Sequence, residues 1–203
     1  MLDPIAFLSR AEPAARDGDP ADALFVLAGG QERKVEAVAR WRAGAAATLV
    51  VSVGRFEWRR YALLGLPGDD ALGRAVEAVP YRRRHFFVVV PSGAGDAGDR
   101  RVEIVRVERG PLGTWRELRA FRRLAVERGW RSVVLLSSAI HLRRVSLLAR
   151  RVFRGTGIAP TYLAVPGGRD RAGRASWPRT PRGAALIASE LVKVAFYAAV
   201  LWG

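Results

Sequence analysis

The sequence predicts an α/β protein in three layers, with helices on both faces of a mainly parallel sheet. Two observations carry that prediction. Short apolar runs alternate with stretches of helical periodicity along the chain, the pattern from which mainly parallel sheets are built. The stretch from Thr114 to Val165 repeats the unit plainly as helix, strand, helix, strand. The expected fold is a Rossmann-like α/β/α sandwich. With 203 residues and no linker between halves of domain size, the chain reads as one domain over residues 1 to 203, with its core between 21 and 197.

The elements follow in order. ADALFVLA (Ala21 to Ala28) is a buried strand, and Gly29 and Gly30 lead into QERKVEAVARWRAG, a helix closed near Gly44. TLVVS (Thr48 to Ser52) is the second strand. Between Gly54 and Pro80 the signals are weaker, with a helix near Asp70 to Ala78. HFFVVV (His85 to Val90) and RVEIVRV (Arg101 to Val107) flank the turn-rich SGAGDAGD and read as an antiparallel hairpin across residues 85 to 107. Thr114 precedes a helix running to about Arg128, Glu117 completes a capping-box pattern, and Gly129 ends it. VVLLS (Val133 to Ser137) is a strand, HLRRVSLLARRVF a helix, and TYLAV (Thr161 to Val165) a strand. A loop from Pro166 to Gly183, carrying Trp177, leads to the apolar AALIASELVKVAFYAAVLWG. Glu190 and Lys193 interrupt that run before it offers about 18 clean residues for a membrane span. It reads as an amphipathic helix packed on the sheet, with peripheral contact to a membrane surface as the second reading.

Composition removes several chemistries. The absence of cysteine excludes disulfides, thiolate metal sites and thiol catalysis. Two histidines, His85 and His141, argue against a histidine-rich metal site. The net charge of +15 and isoelectric point near 11.5 suggest an anionic partner such as nucleic acid or an acidic membrane surface. Against specific nucleic-acid recognition, the arginines are spread along the whole chain and no zinc-finger spacing, RNP-like strand or basic zipper is present. The N-terminal MLDPIAFLSRAEPAARDGD lacks the basic start and apolar core of a secretion signal, so the expected location is cytoplasmic.

In mainly parallel sheets the ligand crevice lies beyond the carboxyl ends of the strands, which collects the turns after Ala28, Ser52, Val107 and Ser137 on one edge. In AGGQER, Gly29 and Gly30 let a ligand approach the backbone at a helix start, and Arg33 stands one turn in, where the helix dipole suits a cation badly. An ion pair with Glu32 or Glu36 is the plainer explanation of Arg33. In GTWRE, Thr114 and Glu117 are accounted for by capping, unless Glu117 points into the crevice and holds an arginine or acts as a base. SSAIHLRR, residues 137 to 144, poses the same conflict more sharply, with His141, Arg143 and Arg144 in the first turns of a helix. An anion resolves it, either an internal carboxylate or a bound phosphate. The dipole biases His141 toward a neutral imidazole able to accept a proton, and Ser138 suits a cap or a phosphate ligand better than a nucleophile. No Walker A sequence, full G-x-G-x-x-G or G-x-S-x-G elbow occurs.

Taken together, ADALFVLAGG with Arg33, LVVS, the Thr114/Glu117 helix, GWRSVVLLSSAIHLRR and the W-P before a final E-x-x-K helix resemble the YdcF, SanA and ElyC-like family, also called domain of unknown function 218. The resemblance runs from Ala21 to about Tyr197 and is most specific around His141. The chain departs from the family pattern at Ala28, where a third glycine is common, at GTWRE, which replaces N-T-x-E-N, and at SVGRFEWRR, which lacks a Gly-Gly. The resemblance implies a Rossmann-like fold and a shared pocket lined by Gly29, Gly30, Arg33, Thr114, Glu117, Ser138, His141 and Arg144. It also implies a link to bacterial envelope biogenesis and lipid-carrier metabolism, one member being reported to bind S-adenosylmethionine.

The leading expectation is a protein that binds or transforms a phosphorylated ligand, polyprenyl-linked or nucleotide-like. Arg33 and Arg144 would hold phosphate, and the helix starts at Gly30 and Ser138 would add N–H donors. If the protein is an enzyme, it is a hydrolase or transferase with His141 as acid or base and Glu117 beside it. The alternatives are a module binding a nucleoside such as S-adenosylmethionine and a basic scaffold on nucleic acid or anionic lipid. A ribose would call for an acidic residue after the second strand, where Glu57 is a poor candidate.

Overall fold

The computed structural model describes residue 7 and residues 19 to 92, 102 to 108, 112 to 165 and 180 to 202. Six strands form one sheet in the order β4-β3-β2-β1-β5-β6: β1 (Ala21–Val26), β2 (Ala46–Gly54), β3 (His85–Pro91), β4 (Glu103–Arg106), β5 (Ser132–Ser138) and β6 (Ala159–Val165). β2, β1, β5 and β6 run parallel, while β3 runs against both β2 and β4. The helices are α1 (Gln31–Arg42), α2 (Asp69–Glu77), α3 (Gly113–Glu127), α4 (Ala139–Val152) and α5 (Pro181–Trp202).

The strands are apolar on both sides because both sides are covered. On one face Phe25, Val50, Phe87 and Leu135 meet Leu118 and Phe121 of α3 and Val145 and Leu148 of α4. Phe25 stacks on Phe121 with ring centroids 4.1 Å apart and takes the edge of Phe87 at 5.1 Å. On the other face Leu24, Leu49, Val51 and Val88 meet Val38 and Trp41 of α1 and Leu72 and Val76 of α2. The α/β/α sandwich and the antiparallel β3–β4 pair stand as the periodicity predicts. The loop from Pro166 through Arg179, the turn from Gly93 to Arg101 and most of the N-terminal stretch lie outside the described residues.

Three local readings change in the fold. β1 leaves the regular ladder at Val26, because the Ala28 N–H turns to the Glu117 carboxylate. The capping box does not form: α3 begins at Gly113, behind Leu112 in a left-handed conformation with φ 61°, and no side chain caps it. Thr114 and Glu117 are taken by partners from other elements. α5 packs on α4 rather than on the sheet, which α3 and α4 already cover; Ile187 and Val194 meet Ile140, and Tyr197 reaches the core beneath. Its segment Gly183–Val200, 18 residues of mean hydropathy 1.6, is long and apolar enough to cross a membrane by length and composition. Glu190 within it is fully buried, and Val192, Phe196 and Val200 are exposed.

Candidate functional site

The parallel strands all end at one edge, and β3 begins there with His85 opposite Gly54. The sheet order reverses between β1, which connects through α1 to β2, and β5, which connects through α4 to β6. At such a switch point two helix starts diverge and leave a crevice beyond the strands. Here they are the start of α1 after Gly30 and the start of α4 after Ser138, neither closed by a side-chain cap. Gly29 has φ 140°, and a Cβ there would collide with the Arg33 guanidinium. The glycine makes room for that side chain.

Arg33 is only 6% exposed. It crosses the switch point, donating from Nη1 to the Ser137 hydroxyl at 3.2 Å, while its buried Nε has no partner. Burial pulls its proton affinity down, and the charges of Glu117, Glu32 and Glu57 pull it back. A guanidinium stays cationic under such a shift. Glu36, one of its expected partners, pairs with Arg40 at 2.7 Å instead. No ion pair joins Arg33 to a carboxylate among the described residues.

Glu117 points into the crevice. It accepts the Ala28 N–H at 2.7 Å and lies 4.0 Å from Nε2 of His85. The Ser52 hydroxyl stands 2.8 Å from the same Nε2 and helps to hold the carboxylate's proton affinity down. Burial pushes the Glu117 carboxyl up, outweighing the hydrogen bonds and the nearby Arg33 charge. Beside it, buried Lys34 is paired with Glu57, whose carboxylate also accepts the Gly54 N–H at 3.4 Å. Burial lowers the Lys34 proton affinity against the pull of Glu57. A cavity of about 260 Å³ opens over these groups, lined in part by Ala28, Glu57, His85, Thr114 and Glu117, with Arg55, Glu108 and Arg116 also on its wall.

His141 and Arg144 belong to a second cluster, centred on Glu190 of α5. Arg144 donates through Nε to Glu190 at 2.9 Å and through Nη1 to the Thr114 hydroxyl. His141 Nδ1 lies 3.1 Å from Glu190, and Lys193 Nζ lies 2.7 Å from it. Burial pushes the Glu190 carboxyl up, but the bonds from His141, Arg144 and Lys193 prevail and hold it far below the usual carboxylate range. Arg144 at the start of α4 is thus answered by an internal carboxylate, which His141 also meets, whereas Arg143 lies over the Phe7 ring. A groove of about 510 Å³ adjoins this cluster, with Leu112, Val192, Phe196 and Tyr197 against Arg144 and Lys193. His141 lines neither the groove nor the cavity. Gly113 and Thr114 line both. An open depression of about 460 Å³ between Trp58 and α2 contains none of the residues singled out from sequence.

The eight residues named from sequence therefore share one edge but divide into two groups. Gly29, Gly30, Arg33 and Glu117 gather at the switch point with Ser138, and Thr114, His141 and Arg144 gather around Glu190. Sequence reasoning missed Ser52, His85, Lys34, Ser137 and Glu190 as site residues. His85 carried a signal, since it opens a strand whose reversed direction puts its first residue at the ligand edge. No group of three or more His, Asp or Glu able to hold a metal occurs among the described residues. Comparison with protein-family models, curated proteins and solved structures finds no match.

Proposed function

We propose that this protein binds a phosphorylated ligand at the switch point between β1 and β5. One observation carries the reading: Arg33 is buried beside two uncapped helix starts and, among the described residues, its Nε has no partner and no carboxylate is paired to it. A buried cation without a counter-ion is costly, and a phosphate accepting from the guanidinium and the free helical N–H groups would complete it. The neighbouring cation, Lys34, is already neutralised by Glu57. Glu57 is also the acidic residue after β2 that a ribose would need, and its engagement weighs against the nucleoside alternative.

The groove favours a lipid-linked form of that ligand. Its apolar wall of Leu112, Val192 and Phe196 meets the cavity over Glu117 at Gly113 and Thr114, so an apolar tail could leave that cavity along α5. The resemblance to the YdcF, SanA and ElyC-like family supports the same class and suggests an envelope metabolite.

A thermal-shift titration with inorganic phosphate, pyrophosphate, a short-chain polyprenyl phosphate and S-adenosylmethionine tests this. Phosphate compounds at 100 times Kd add about 2.7 kcal/mol of stability. Arg33→Met, which keeps the length and removes the charge, weakens their binding about ten- to hundredfold. Stabilisation by S-adenosylmethionine alone, or phosphate binding that survives Arg33→Met unchanged, sinks the proposal.

A further inference from the structure

The cavity has an acid–base group of its own, distinct from His141. His85 and Glu117 both line it, and Ser52, fully buried, stands against the His85 ring. A hydroxyl carries one hydrogen. When it donates to an ionised Glu117, it must accept from Nε2–H of His85; when Glu117 is protonated and donates to it, its own hydrogen turns to a bare Nε2. The two arrangements differ by one proton moved between carboxylate and imidazole, with Ser52 passing one hydrogen on as it receives another. The three groups are gathered at one nitrogen, since Nε2 lies 2.8 Å from Oγ and 4.0 Å from the Glu117 carboxylate.

We propose that Ser52, His85 and Glu117 form a one-proton relay through which His85 gives or takes a proton at the cavity, for a ligand whose phosphate is held by Arg33. The inference rests on the phosphate reading above. Among the described residues, the charged groups around the relay are Arg33 and Lys34 of α1, Arg55 and Glu57 after β2, Glu108 after β4 and Arg116 of α3. Phe87 stacks edge-on against the His85 ring at 6.1 Å and fixes its plane from below. His141 is bonded to Glu190 and does not line this cavity.

The chain has only two histidines, so an imidazole-observed NMR pH titration resolves each, and His85→Gln assigns them. In the wild-type protein the His85 signal should follow two coupled steps, because its proton is shared with Glu117. Glu117→Gln should leave one step and lower the proton affinity of His85 about tenfold, through loss of a carboxylate near Nε2. Ser52→Ala, small enough to keep the fold if Glu117→Gln does not, leaves the carboxylate 4.0 Å from Nε2 and should keep two steps while changing their separation. A His85 curve unmoved by either variant overturns the relay. Inorganic phosphate should raise His85 proton affinity in the wild-type protein but not in Arg33→Met. A His85 signal unaffected by bound phosphate overturns its service to the ligand. If phosphate gives no thermal shift at all, the anion site fails by itself, and the two-step curve still decides the relay.

Discussion

Glu117 on α3 and Glu190 on α5 are both glutamates withdrawn from water at the same edge of the fold, and their proton affinities are shifted in opposite directions. Glu190 is surrounded by Arg144, His141 and Lys193, so its charged form is held firmly despite full burial. Glu117 receives a hydrogen bond from the Ala28 N–H, with Ser52 and the Arg33 charge near, and burial raises its proton affinity. Burial alone therefore says little about a carboxylate. What matters is whether the groups facing it are cations in contact or neutral donors. One arrangement suits a permanent counter-ion that pins α5 to α4. The other suits a group that exchanges a proton beside a cavity.

The sharpest way to break the comparison is Glu190→Ala. It strands the nearly buried Arg144 guanidinium and should cost about 3 to 5 kcal/mol in a urea unfolding experiment. A loss below about 1 kcal/mol would mean that the Glu190 cluster contributes little to the fold.

Next in size is Gly29→Ala. A side chain at φ 140° is strained, and its Cβ displaces the Arg33 guanidinium. The expected cost is about 1 to 3 kcal/mol, with phosphate binding weakened at the same time. Stability and phosphate affinity both at wild-type values would contradict the placing of Arg33 over Gly29.

The smallest effect is the most diagnostic, because it has opposite signs at the two glutamates. Glu190 has a depressed folded value, so its stabilisation is present above its ordinary value of 4.5 and is lost as pH falls through the folded value. Glu117 has a raised one, so its stabilisation is present below 4.5 and is lost as pH rises through the folded value. Unfolding free energies measured from acid to mildly alkaline pH should show Glu190→Gln narrowing its deficit in acid. Glu117→Gln should gain on the wild-type protein as pH rises, by about 1.4 kcal/mol for each pH unit between the folded and unfolded values. Slopes of the same sign in both variants would erase the distinction.

The sequence by itself determined the alternation of strands and helices, the edge where the strand ends gather, and the electrostatic conflict at Arg33, His141 and Arg144. These are local properties: periodicity, a glycine pair, a cation at a helix start. Tertiary structure decided how each conflict was answered, since the partners lie far along the chain. Arg144 finds Glu190, 46 residues on; Arg33 finds Ser137, 104 residues on; and Ala28 finds Glu117, 89 residues on. Thr114 and Glu117 fit a capping box by spacing, but the approach of α4 and β1 offered them other donors and α3 started without a side-chain cap. His85 joined the site only because β3 runs antiparallel to β2, which brings the beginning of one strand to the end of the other. Spacing along the chain fixes what a residue needs, whereas the direction and order of the strands fix which distant group meets that need.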